Sequence, residues 1–183
     1  MTVMVPETPL EETDAGRVPK GEGWFVLNAR DARWRPSKGC GAYCSFEGEL
    51  EFAQVGVHLV SLDPGEPMAM YHWEADQEDF LVLSGEALLI IEGEERALAE
   101  WDFVHCPANT KHVILGAGAG PCLVLAVGAR YDSTGPSWGG YTVDETALRH
   151  NAGVEADTTD PAEAYAKFPP REAVAYREGW LPD

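Results

Sequence analysis

A small all-β barrel, with short helices only towards its C-terminal end, is the fold this sequence predicts. Residues 24–130 are a succession of short Val-, Leu-, Ile- and Phe-rich runs broken by Gly, Pro, Asn and Asp, the texture of strands joined by turns. No long amphipathic helical pattern interrupts them. After Arg130 the texture changes, and two helix-opening signals follow, each too short to be stable unless packed on something else.

The strands are expected in order. Residues 54–62 are rich in Val and Leu and end at the turn Asp63-Pro64-Gly65. Residues 68–74 form the next strand. Residues 80–83 and 87–91 flank Gly85, which predicts a tight hairpin there, and Glu92-Gly93-Glu94 marks the following turn. Strands at 96–98 and 101–106 lead into Pro107-Ala108-Asn109-Thr110, where Asn109 is suited to a positive φ. Residues 112–115 and 122–127 complete the series across a Gly-rich connection. Thr142-Val143-Asp144-Glu145 reads as a capping box with Thr142 as N-cap, and Asp160-Pro161-Ala162-Glu163 supplies an N-cap, a first-turn proline and a glutamate. The chain thus divides into a flexible Pro-, Glu- and Thr-rich segment (1–23), a barrel (24–130), and an extension (131–183) that packs on the barrel or on a partner subunit.

At 183 residues, one domain can bury a core without disulfide staples. A net charge of -18 with no Lys/Arg cluster disfavours nucleic acid and anionic membrane as partners and leaves small molecules. There is no apolar run of spanning length and no export signal, so a cytoplasmic protein is expected. Four cysteines at 40, 44, 106 and 122 are too sparse for a disulfide scaffold; Cys40 and Cys44 read as ordinary thiols, the alternative being a redox pair or a second metal site. The tail aromatics Trp138, Tyr141, Tyr165, Phe168, Tyr176 and Trp180 exceed what two short helices can hide; a homodimer would cover them, and so would the chain's own barrel.

Chemistry concentrates in one segment, Tyr71-His72-Trp73-Glu74-Ala75-Asp76-Gln77-Glu78, and in His112, which lies 34 residues beyond Glu78. Side chains at even separations on a strand share a face, which groups His72, Glu74 and Glu78 and sends Tyr71 and Trp73 the other way. Buried carboxylates on one face are costly without a counter-charge, and a cation resolves that cost. Imidazole plus carboxylate without thiolate suits one divalent transition ion, Mn, Fe, Ni or Zn. His72, Glu78 and His112 are the expected ligands, with Glu74 a fourth or a close neighbour. Met68, Met70, Phe80 and Val82 share the ligands' parity and would line the pocket. His105 lines that pocket or fills space, while His58 and His150 read as structural or exposed.

These residues resemble the cupin superfamily. Its first motif ends with Glu, six residues and Gly, as Glu78 and Gly85 do, and its His-x-His falls on His72 and Glu74. Its second motif is similar to residues 101–116, with Pro107 and His112 in place. The departures are Glu74 for the second histidine, Trp101 and Asn109 for two glycines, and Gly116 for the final asparagine. A register shifted by one puts Tyr71 and Trp73 at the histidine positions and fits Gly65 better, but neither is a plausible ligand. The resemblance implies a double-stranded β-helix, or jelly-roll, barrel and dioxygenase, isomerase or lyase activity on a small oxygenated molecule. The alternative is a non-catalytic cupin that binds or senses a small ligand around a structural ion. No catalytic residue is singled out by the sequence.

Overall fold

The computed structural model describes residues 4–131 and 138–182. Its strands are β1 (Leu10–Thr13), β2 (Gly16–Pro19), β3 (Trp34–Pro36), β4 (Ala42–Ser45), β5 (Val55–Leu62), β6 (His72–Glu74), β7 (Glu78–Ser84), β8 (Glu86–Ile91), β9 (Glu94–Leu98), β10 (Phe103–Cys106), β11 (His112–Ala117), β12 (Cys122–Ala129) and β13 (Gly139–Tyr141), with helices α1 (Glu145–Arg149) and α2 (Pro161–Ala164). A six-stranded sheet, β10-β7-β12-β5-β4-β3, faces a five-stranded one, β13-β6-β11-β8-β9. All pairings between these strands are antiparallel, the longest being β12 on β5 from Cys122↔Leu62 to Ala129↔Val55. The core lies between the sheets, where Val60, Phe80, Val82 and Val124 of the larger sheet meet Ala87, Leu89 and Ile114 of the smaller. Alternation along each strand drives this, since every second side chain turns inward.

Several expectations need correction. The hairpin at Gly85 does not form: β7 pairs with β10 and β12, while β8 pairs with β11 and β9 in the other sheet. One residue is too short for a hairpin, which takes at least two. Instead Gly85, at φ +77°, is the corner where the chain changes sheet, and a Cβ there would stand 2.6 Å from the Pro121 carbonyl oxygen. The strand expected over 68–74 is regular only at His72–Glu74, because the Tyr71 amide bonds to the Ala152 carbonyl in the extension. Residues 4–23 carry the β1–β2 hairpin and the buried residues Thr8 and Val18. The N-cap of α1 is Asp144, whose carboxylate accepts from the Ala147 amide at 2.8 Å; Thr142 instead donates to Asp157. Asp160 caps α2 as expected.

The extension closes the barrel. β13 adds an edge strand beside β6, and Ala147 of α1 packs with Tyr71, Ile90, Val113 and Leu115 on the outer face of the smaller sheet. Trp138, Tyr141, Tyr165 and Phe168 gather around Met70, and Tyr176 and Trp180 lie against Trp34, with ring centroids 6.0 and 5.1 Å away. These tail aromatics pack on the chain's own barrel. No helix among the described residues is long and apolar enough to cross a membrane.

Candidate metal centre

His72, Glu78 and His112 each open a strand, and those strands belong to two facing sheets. His72 and His112 are direct partners across β6 and β11. Between Glu74 and Glu78 the chain crosses from the smaller sheet to the larger, so Glu78 approaches the imidazoles from the opposite wall. The even spacing along one continuous strand is therefore not what brings Glu78 to His72. Convergence of two sheets is. Parity does hold within β6 and its approach, where Tyr71 points outward beneath α1 and its hydroxyl accepts from the Gly93 amide at 3.1 Å.

One ligand atom from each of the three lies within 4.8 Å of the others. Glu78 Oε2 is 3.3 Å from His112 Nε2 and 3.6 Å from His72 Nε2. Each ring's Nδ1 is bonded to a backbone carbonyl, His72 to Met70 at 2.8 Å and His112 to Thr110 at 3.0 Å. A carbonyl only accepts, so Nδ1 carries the proton and the neutral ring turns an Nε2 lone pair to the centre. Two of the converging atoms, His112 Nε2 and Glu78 Oε2, are buried with no hydrogen-bond partner. Buried polar atoms are almost always satisfied, and two lone-pair donors facing one point are satisfied together by a cation. The donor set, two imidazole nitrogens and a carboxylate, fits a divalent transition ion.

The electrostatics are those of a crowded buried site. Burial lowers the pKa of His112, keeping it neutral. Burial also works against protonation of His72, but the neighbouring Glu78 carboxylate outweighs it and the net shift is upward. Glu78 shifts downward because His72 and His112 outweigh its own burial. Glu74 is pushed up to about 7 by burial and by the charge of Glu78. Its Oε1 lies 3.9 Å from His72 Nε2, and it stands outside the close trio.

A cavity of about 320 Å³ opens onto these groups. Met68 and Phe80 line it as expected, whereas Val82 is in the barrel core and Met70 packs against the tail. His58 also lines it, edge-on to Tyr43 at 5.6 Å, contrary to its reading as structural or exposed. The signal was present in the sequence, since His58 shares parity with the inward Val60 and Leu62. Trp138, Tyr141 and Tyr165 reach the cavity from the extension, which no local pattern could show. His105 is on the surface, 2.6 Å from Asp79, and His150 contacts Glu95. All four cysteines are buried free thiols. A larger depression of about 500 Å³ between α1 and α2 contains none of the converging groups.

Trp101 and Asn109, which stand where the family motif has glycine, adopt φ of +73° and +69°. Both positions are therefore left-handed with side chains on them, a conformation that costs most residues about 1–2 kcal/mol and asparagine less.

Residues 58–128 match the Cupin_2 family model, described as a cupin domain. Among solved structures, a putative sugar phosphate isomerase from Acidithiobacillus ferrooxidans is 29% identical, with 51% of this chain and 62% of that chain covered and a TM-score of 0.47. A cupin-superfamily sugar phosphate isomerase from Silicibacter pomeroyi is 27% identical over 56% and 62%, with a TM-score of 0.44. This chain thus spans less than two thirds of either protein's length. The polyketide cyclase RemF from Streptomyces resistomycificus, 13% identical over 58% and 79%, has a TM-score of 0.50 and shares the fold. No curated protein matches the sequence. The family match runs from β5 through β12, and the two facing antiparallel sheets are the architecture that a cupin domain is expected to have.

Proposed function

We propose that this protein is a divalent-metal-dependent cupin enzyme, holding Mn, Fe, Ni or Zn through His72, Glu78 and His112 and converting a small oxygenated molecule by isomerase, lyase or dioxygenase chemistry. The observation that carries the reading is the pair of buried, unpartnered atoms His112 Nε2 and Glu78 Oε2 facing His72 at the floor of a cavity. An ion bound there would supply Lewis-acid polarisation of a substrate oxygen. The chain does the rest. The Met70 and Thr110 carbonyls fix both rings with Nε2 inward. Val60, Met68 and Phe80 exclude water from one side of the cavity. Glu74, beside the trio and not within it, is placed to take a proton from a substrate C–H or O–H.

The test is elemental analysis of protein purified without a metal-affinity tag, followed by activity screening with each of the four ions. The expected result is one ion per chain in the wild type and none in His112→Ala. Glu74→Gln should keep the ion and lose turnover. Full metal occupancy in His112→Ala would overturn the assignment, and loss of metal in Glu74→Gln would make Glu74 a ligand instead of the proton acceptor.

A further inference from the structure

We propose that the cavity takes an uncharged, oxygenated aromatic molecule of one or two rings, recognised by Tyr43, Trp138 and Tyr141. The inference deepens the reading of the His72, Glu78, His112 trio as the reaction centre and rests on it. Two observations carry it. The first is the aromatic wall facing the trio: Trp138 meets Tyr141 at 5.4 Å, and Tyr141 meets Tyr165 edge-on at 5.7 Å and lies 6.0 Å from the His72 ring. On another side Tyr43 stands edge-on to His58. Such walls recognise a ring by stacked and edge-to-face contacts.

The second observation is what the wall lacks. No Lys or Arg is among the described residues that line the cavity. The Arg171 guanidinium lies 5.1 Å over the Tyr43 ring, but it is occupied by the Arg35 and Gly41 carbonyls. Arg130 is held by Glu47. The Glu78 carboxylate already offsets part of the charge of a bound ion, and Glu74 stands beside the trio. A phosphate or a carboxylate would therefore lose its hydration with no cationic side chain to replace it. A neutral phenol or ketone loses far less, and tyrosine hydroxyls can pair with it. Size agrees: an apolar cavity of about 150 Å³ holds benzene, so about 320 Å³ accommodates one or two rings.

The experiment is calorimetric titration of the full-length, metal-loaded protein with 1-naphthol and 2-hydroxyacetophenone as neutral aromatic probes, and with glucose 6-phosphate and oxalate as anionic ones. The aromatic probes are expected to bind about tenfold or more tightly than the anions, since a buried unpaired charge costs more than a buried unpaired neutral group. Trp138→Ala should weaken 1-naphthol binding by about 2- to 12-fold, the range of one aromatic contact, with metal content unchanged. Tyr43→Leu, on β4 of the barrel, repeats the test if Trp138→Ala does not fold. Tighter binding of the anions, no binding of either class, or unaltered 1-naphthol affinity in a folded ring variant would overturn the proposal. Metal content measured on the same samples reports separately on the trio. Protein that takes up no metal but still prefers 1-naphthol would refute the ion and leave the aromatic site standing.

Discussion

Loading the site with its ion should raise the thermal stability of the wild-type protein and leave that of His112→Ala unchanged. Without a cation the fold carries two buried unpartnered atoms, His112 Nε2 and Glu78 Oε2, each costing about 1–3 kcal/mol. An ion at about 100 times its dissociation constant adds about 2.7 kcal/mol, which falls in the same range. For a chain of this size each kcal/mol moves Tm by about 2–4 °C, so the shift should be about 5–11 °C. Removing the His112 ring leaves a hole beside Phe80 and His72, whose centroids are 5.2 and 4.9 Å away. That cavity costs about 2–4 kcal/mol and is partly offset by losing the unpartnered nitrogen, worth about 1–3 kcal/mol. The difference in metal-induced shift cancels both terms. The assay is differential scanning calorimetry of each protein in EDTA and in metal. An equal shift in wild type and His112→Ala would refute the reasoning, because the ion would then be binding elsewhere.

Other outcomes follow from the same geometry. Metal-induced stabilisation should grow with pH: His72, raised above its ordinary value by Glu78 against the effect of burial, must lose its proton to coordinate. In metal-free protein the signs differ. The raised His72 contributes stability that is present below about pH 6.5 and is lost as pH rises through its folded pKa, while the lowered Glu78 contributes stability that is present above about pH 4.3 and is lost as pH falls. Equal metal-induced shifts at about pH 5 and about pH 8 would contradict this. Gly85→Ala should cost about 2 kcal/mol or more by chemical denaturation, since a left-handed conformation alone costs about 1–2 kcal/mol and the new Cβ would meet the Pro121 carbonyl at 2.6 Å; wild-type stability in the variant would mean the corner is not rigid. Removing the residues after Tyr131 should abolish cooperative unfolding, because Val174, Tyr176 and Trp180 cover Trp34, and Tyr141 covers Met70. Light scattering on the intact chain tests the homodimer separately: a mass near 19.9 kDa would reject it.

Residues 24–130 declared their class locally. Strand alternation, with turn residues such as Asp63-Pro64-Gly65 and Glu92-Gly93, specifies which side chains turn inward and where a strand must stop. These are properties of neighbours in the chain. The candidate residues stood out for a related reason, because a histidine, two glutamates and a distant histidine set in apolar strands leave few uses for so much buried polarity. What the local pattern could not carry was which sheet a strand joins. Gly85 reads equally as a turn and as a corner, and only the partners of β7 and β8 decide between them. The same decision places Glu78 opposite His72 instead of beside it. The cavity wall shows the limit most plainly: Trp138, Tyr141 and Tyr165 follow His112 by 26 to 53 positions, and they face it because β13 pairs with β6 and the tail folds back over Met70. Periodicity fixes the face a residue presents, but proximity between distant segments comes from burying both against a common core. That was decided by the tertiary structure alone.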